Sequence, residues 1–167
     1  MSSKFSNKKI IVDTGPLIAF AHLNGFGLLN RLFDKVYITE QVFAESQSDP
    51  GRLDAITIAD KVLQNQLIKT KCKAWHSHER PASLGLGEFS SIILARELGC
   101  LVLLDDKFAR RAAREYAIDV VGTAGILVHA KQKKMISSVT EALCKLSQKQ
   151  YYFSDELIQK IKQLANE

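Results

Sequence analysis

Residues 10–18, with the sequence IIVDTGPLI, join a short β-branched run to an acidic residue, a glycine and a proline. The run is typical of a buried strand, and Pro16 suits the first turn of a helix, because a backbone N–H there has no helical partner. Similar apolar runs recur along the chain, separated by helical periodicity. The predicted strands are residues 10–12, 36–38, 67–70, 101–104 and 120–121.

Helical patterns fill the intervals between these strands. Thr39 and Ser154 are placed to N-cap helices, and Gly99 is placed to end one. Strands that alternate with helices predict an α/β fold built from βαβ units. The other predicted helices are residues 53–64, 88–98, 108–116, 124–131 and 137–146, and residues 71–87 form the one long loop.

The composition is that of one ordinary globular domain. The 167 residues are 46% hydrophobic and 25% charged, so we predict a single domain over residues 1–167 and exclude collagen-like and mostly disordered classes. No apolar run approaches the roughly 20 residues of a membrane helix, and the first residues lack a signal-peptide pattern. We therefore expect a cytoplasmic protein without membrane association. The net charge of +5 favours an anionic partner.

Acidic residues lie where ligands bind in parallel sheets, beyond the carboxyl ends of the strands. Asp13 follows the first predicted strand, and Asp105 and Asp106 follow the fourth. We expect Glu45 and Glu88 to join them from helices. Converging carboxylates repel one another without a counterion, and Mg²⁺ and Mn²⁺ prefer oxygen ligands of this kind. The pattern predicts the metal site of a phosphodiester-cleaving enzyme, with basic residues binding the nucleic-acid backbone.

Each of these acids also has a structural interpretation. An aspartate after a strand is often a turn or cap residue, and Asp106 is placed to cap the next helix. Glu88 in a first helical turn is favoured by the helix dipole, by about 0.3–1 kcal/mol. Taken singly, each acid is more often structural than catalytic, and only the whole set favours a metal site.

Several segments of the chain resemble the motifs of PIN-domain ribonucleases. Segments 12–18, 39–45, 85–95 and 103–108 are similar, in order, to the four motifs of that family. Segment 122–127 resembles part of a prokaryotic, VapC-toxin-like branch whose members are often described only as predicted nucleic-acid-binding proteins. The resemblance covers nearly the whole chain.

The resemblance implies a fold, an activity and partners. The fold is a three-layer α/β/α arrangement around a central parallel sheet of four or five strands. The activity is that of a ribonuclease, a hydrolase that uses Mg²⁺ or Mn²⁺ to cleave RNA. Many members are toxins of toxin–antitoxin pairs and form dimers, so RNA, a small antitoxin protein and a second copy of the chain are the expected partners.

Carried over by position, the catalytic and metal-binding acids are Asp13, Glu45, Glu88 and Asp105. Asp106 is either an additional metal ligand or the fourth ligand in place of Asp105. Thr14 and Thr123 are candidates for holding a water molecule or the metal, and capping the next helix is an equal alternative for Thr123. Arg110 and Arg111 form either a phosphate-binding face beside the metal or an ordinary solvated helix face.

Two departures from the family pattern motivate a second function hypothesis. Glu88 stands where many members have aspartate, and Leu103 stands where many have a hydroxyl residue. The alternative is a catalytically weak or inactive module that binds nucleic acid or a protein partner. A phosphotransfer domain is disfavoured, because Gly15 stands where a phosphatase has its second acid. A zinc site at Cys72, His76 and His78 is also disfavoured, since the spacing matches no common site and lacks a fourth ligand.

Overall fold

The structure, a computed structural model, describes residues 9–74 and 80–167. His76 and His78 lie outside these ranges. The strands and helices in chain order are β1 (Lys9–Val12), α1 (Thr14–His22), α2 (Phe26–Leu32), β2 (Lys35–Thr39), α3 (Glu40–Ser46), α4 (Leu53–Leu63), β3 (Ile68–Thr70), α5 (Leu86–Leu98), β4 (Leu101–Leu103), α6 (Lys107–Glu115), β5 (Val120–Val121), α7 (Thr123–Gln132), α8 (Val139–Gln148) and α9 (Asp155–Ala165). No helix in the described ranges has both the length and the apolar character needed to cross a bilayer.

The five strands form one parallel sheet in the order β3-β2-β1-β4-β5. The central strand β1 pairs with β2 and β4, so that Ile10 lies opposite Val36 on one side and Leu101 on the other. The strand order changes direction at β1, and such a switch point is where ligands bind in open α/β sheets. The predicted α/β class with a parallel sheet of four or five strands is confirmed.

Side chains that alternate along the strands build two cores, one on each face of the sheet. On the first face, Ile10 and Leu103 pack with residues of α1 to α4, such as Phe20 and Ile58. On the second face, Ile11, Val102 and Leu104 pack against α5 and α6. A third apolar cluster joins α7, α8 and α9. Helices therefore cover both faces, which is why the strand sequences are continuously apolar.

The helix boundaries follow the capping chemistry of the sequence. Thr39 Oγ1 accepts a hydrogen bond of 3.1 Å from the Val42 N–H and caps α3, and Ser154 caps α9 in the same way. Gly99 ends α5 with a φ of 58°, a left-handed conformation that glycine adopts at no steric cost. These caps were predicted. Helix α2 was not, because glycine at positions 25 and 27 obscures its pattern.

Candidate metal centre

The carboxyl edge of the sheet collects the five predicted acids. Asp13 directly follows β1, and its N–H donates to the Leu103 carbonyl of β4 at 3.2 Å, so the ends of the two strands meet there. Asp105 follows β4 after a single intervening residue. Helices α1, α5, α6 and α7 all begin near this edge, and their N-terminal dipoles favour negative charge.

Asp13 is the most buried of these acids, with 6% of its surface exposed. Its Oδ1 is buried without a hydrogen-bond partner in the described part of the chain. The pKa of Asp13 is raised from 3.8 to about 7, mainly by burial and also by the charges of Glu88, Glu45 and Asp105, although a backbone hydrogen bond from Thr14 lowers it. The structure therefore brings the four predicted acids into one electrostatic cluster.

Glu45 is held at the edge by two neighbouring segments. Thr14 Oγ1 donates to Glu45 Oε2 at 2.6 Å, and the Gly87 N–H donates to Oε1 at 2.8 Å. Any Cβ at position 87 would clash with the Glu45 carboxylate, so only glycine allows this close approach. Thr14, predicted to hold a water molecule or a metal, is observed to orient Glu45.

Glu88 and Asp106 both contribute to helix starts. Glu88 Oε2 accepts the Gly85 N–H at 2.8 Å, before the first turn of α5. Burial raises the pKa of Glu88, and the charges of Asp106 and Glu45 raise it further. Asp106 Oδ1 accepts the Phe108 N–H at 2.8 Å and caps α6. The structural interpretation of Asp106 is thus observed, while its charge still acts on Glu88.

Asp105 carries three hydrogen bonds. Its Oδ1 accepts the Thr123 N–H at 2.8 Å, and its Oδ2 accepts the Thr123 hydroxyl at 2.5 Å. The Tyr151 hydroxyl also donates to Oδ2. Burial raises the pKa of Tyr151, and the nearby charge of Asp105 raises it further, so the phenol keeps its proton and acts as a donor.

Tyr151 was missed by the sequence reasoning. It lies between α8 and α9, far along the chain from the acids, and no motif connects it to them. The preceding residue, Gln150, lies just after the end of α8 and has a left-handed backbone conformation with a φ of 62°. The one available signal was the aromatic run at residues 151–153, which is unusual in a connection between helices.

The two arginines of α6 have different surroundings. Arg110 is half-buried, and its Nη1 lies only 2.6 Å from where a Cβ on Gly122 would stand, beside Asp105. Arg111 lies on the solvent side of α6, where its Nε pairs with Glu115 at 3.1 Å and both side chains are exposed. The structure therefore brings Arg110 to the site and leaves Arg111 outside it.

The donor set is suited to a hard divalent cation. Within residues 9–74 and 80–167, no three His, Cys, Asp or Glu side chains are already grouped closely enough to hold a metal ion. Glu45, Glu88 and Asp105 instead accept N–H and O–H donors from the protein. The buried Oδ1 of Asp13, which has no hydrogen-bond partner among the described residues and lies near three other carboxylates, is the atom that a cation would satisfy, so the residues fit a divalent cation that prefers oxygen ligands.

Comparisons with known proteins agree with this architecture. A family profile described as a PIN domain matches residues 9–167. A PilT N-terminus domain protein from the hyperthermophilic archaeon Sulfolobus solfataricus is similar in fold, with a TM-score of 0.52 and 20% identity over 73% of this chain and 92% of that one. A domain from Methanocaldococcus jannaschii of unknown function gives a TM-score of 0.46 and 19% identity over 69% and 90% of the two chains. No curated protein matches the sequence significantly.

Proposed function

Because the chain belongs to the PIN-domain family, we propose that it is an endoribonuclease dependent on Mg²⁺ or Mn²⁺ and centred on Asp13. PIN domains are generally nucleases, and those nucleases generally use divalent metal ions. The observation that carries the proposal is the buried, unpartnered Oδ1 of Asp13 among three further carboxylates. Such an arrangement is unfavourable for the empty protein, and a bound cation relieves it.

The residues around the acids have distinct roles in this proposal. Asp13, Glu45, Glu88 and Asp105 would hold the cation, which when bound activates water and neutralises charge on the phosphodiester. The threonine hydroxyls at positions 14 and 123, with Tyr151, orient Glu45 and Asp105 by hydrogen bonds. Such supporting bonds fix the carboxylates in the geometry that chemistry needs.

In this proposal, Arg110 binds the phosphate groups of the substrate. Its guanidinium lies at Gly122 beside Asp105, where it would contact the RNA backbone next to the acids. Arginine suits this role because its planar donors match two phosphate oxygens at once. The proposed substrate is therefore an RNA strand that crosses the carboxyl edge of the sheet.

A second candidate is an RNA-binding module without catalysis. Glu45 and Asp105 already have protein donors, and no three acids in the described ranges are grouped around a common point. Carboxylates that already accept hydrogen bonds from the protein have less need of a cation. This candidate predicts RNA binding that weakens with salt and persists in EDTA, without cleavage.

The test is cleavage of a labelled RNA pool of mixed sequence in Mn²⁺ or Mg²⁺. Replacing Asp13 by asparagine removes the central carboxylate, and we expect cleavage to fall by more than about 100-fold, since even supporting partners of metal ligands are worth about 10–100-fold. Glu141→Gln is the matched control, because it removes an exposed carboxylate of α8 that pairs with Lys145.

The outcomes separate the two candidates. Cleavage by the parent and by Glu141→Gln, but not by folded Asp13→Asn, supports the nuclease. Equal cleavage by the parent and Asp13→Asn contradicts the assignment of Asp13. RNA binding by the parent in EDTA, with no cleavage in either metal, favours the binding module.

A further inference from the structure

A large groove leaves the candidate metal centre between α7 and the segment that leads into α9. Its volume is about 690 Å³, within the range of small-molecule sites. Its lining includes Asp105, Arg110 and Gly122, so the groove and the acid cluster share residues. The walls beyond are mainly apolar and include Val121, Val128, Leu157 and Ile161.

Aromatic side chains line one side of this groove. Tyr151 and Phe153 pack against each other, with ring centroids 5.4 Å apart. Tyr152, between them in sequence, also lines the groove and is 76% exposed. A tyrosine so exposed beside an apolar groove offers a flat ring face to a ligand.

The charges along the groove favour an anion. Asp105 is the one carboxylate among the lining residues in the described ranges, and it belongs to the metal centre. Arg110 and Lys160 of α9 are both lining residues and carry positive charge. The groove therefore combines apolar and aromatic walls with positive charge. This combination suits a ligand that has both a flat apolar ring and a phosphate.

We propose that this groove, lined by Tyr152, is a nucleobase subsite: it binds an unpaired base of single-stranded RNA whose backbone crosses the acid cluster. The proposal rests on the function proposed above and defines its substrate as RNA with unstacked bases. Proteins read single-stranded RNA by stacking its bases on aromatic side chains, while cations hold the phosphates. Here Tyr152 supplies the stacking face and Arg110 contacts the adjoining phosphate.

The position of the groove favours this occupant over a protein segment. Asp105 and Arg110 are among its lining residues, so a strand placed for cleavage at the acid cluster has an adjoining base within reach of the groove. An apolar protein segment would contact the walls but would bring no anionic group to Arg110 and Lys160.

The test measures binding, so that it is independent of cleavage. A fluorescent single-stranded RNA of mixed sequence is titrated in EDTA with the parent protein, with Tyr152→Ala and with Tyr152→Phe. Loss of the ring should weaken binding by about 5- to 150-fold, the effect of removing one base–aromatic stack. Tyr152→Phe keeps the ring and should bind like the parent. Leu63→Ala, which truncates an apolar side chain of α4 that is 80% exposed, controls for general surface loss.

A second probe carries abasic riboses in place of the nucleosides. The parent and Tyr152→Ala should bind this probe equally weakly, because the stack is absent from both complexes. An affinity for the intact RNA that does not change in Tyr152→Ala overturns the subsite and leaves an apolar protein segment as the occupant. The subsite is also overturned if Tyr152→Ala loses the same affinity for both probes, or if the parent binds no RNA.

Cleavage of the same RNA in Mn²⁺ is assayed separately. If the parent cleaves RNA and its RNA affinity does not depend on Tyr152, the subsite is overturned and the nuclease proposal stands. Binding that depends on Tyr152 and on the bases, without cleavage, supports the subsite and counts against the nuclease.

Discussion

Asp13 shows how a single carboxyl group is set apart from its neighbours. Both carboxylate oxygens of Glu45 and of Asp105 accept hydrogen bonds, whereas Asp13 Oδ1 is buried without a hydrogen-bond partner among the residues that the structure describes. Burial disfavours the charged form, and three nearby carboxylates disfavour it further. In the metal-free protein, the carboxyl group of Asp13 therefore retains its proton to a higher pH than an ordinary aspartate, and a bound cation would displace that proton.

This proton predicts an unusual dependence of stability on pH. The pKa of Asp13 is about 7 in the folded protein and about 3.9 in the unfolded chain. Between these values the folded state binds more protons, so the contribution of Asp13 to stability is greatest below about pH 4 and is lost as the pH rises through 7. In EDTA, Asp13→Asn should gain stability over the parent across this interval, by an amount that increases with pH.

The measurement is denaturant unfolding of the parent and of Asp13→Asn at pH values from 4 to 8. Comparison of the two proteins removes the contributions of all other titrating groups. Stability curves that stay parallel across the range would show that Asp13 titrates normally.

At the scale of the elements, helix starts rather than strands hold the acids in place. The start of α5 provides the N–H groups of Gly85, its N-cap residue, and of Gly87, which bind Glu88 and Glu45, and the first turn of α7 binds Asp105. Partial positive charge at these helix starts offsets part of the repulsion among the carboxylates. The acid cluster thus depends on where each helix begins.

Gly87→Ala tests this dependence. A Cβ at position 87 would displace the flexible Glu45 carboxylate, while the alanine itself suits a helix. We expect cleavage to fall by about 10–100-fold, the usual cost of disturbing a ligand's support, with little loss of stability. Gly27→Ala in α2 is the matched control, because its Cβ would meet nothing within 4 Å. Unchanged activity in Gly87→Ala would show that Glu45 is not needed at this position.

The limits of sequence-based prediction follow from the same geometry. The acids at residues 13 and 105 were predictable because apolar strand patterns end just before them. The caps at Thr39 and Ser154 were predictable because capping is a local interaction. The partners of the acids were not predictable. Tyr151 reaches Asp105 only through the packing of α7, α8 and α9, which leaves no periodic signal in the sequence.

At the scale of the whole molecule, a cation held by the acid cluster would couple its binding to folding. An ion that binds the folded chain alone stabilises it, by about 2.7 kcal/mol at a concentration 100 times its Kd. We expect Mn²⁺ to raise the Tm of the parent, and to raise it more at pH 8 than at pH 6, because the cation competes with the Asp13 proton. Differential scanning fluorimetry measures both effects.

The same scan on Asp13→Asn provides the control. The variant should gain little from Mn²⁺, and EDTA should reverse the gain of the parent. An equal Tm rise in both proteins would place the bound ion somewhere other than the acid cluster.

The strand order also determines when the acid cluster forms during biosynthesis. The central strand β1 emerges from the ribosome well before its partner β4 and before Tyr151, which both lie far downstream of it. Domains whose strands and side chains pair across long sequence separations fold slowly, because a long loop must close before its ends can make stabilising contacts. The carboxylates of a nascent chain therefore remain apart until most of the domain has been made, and the cluster is among the last features to be assembled.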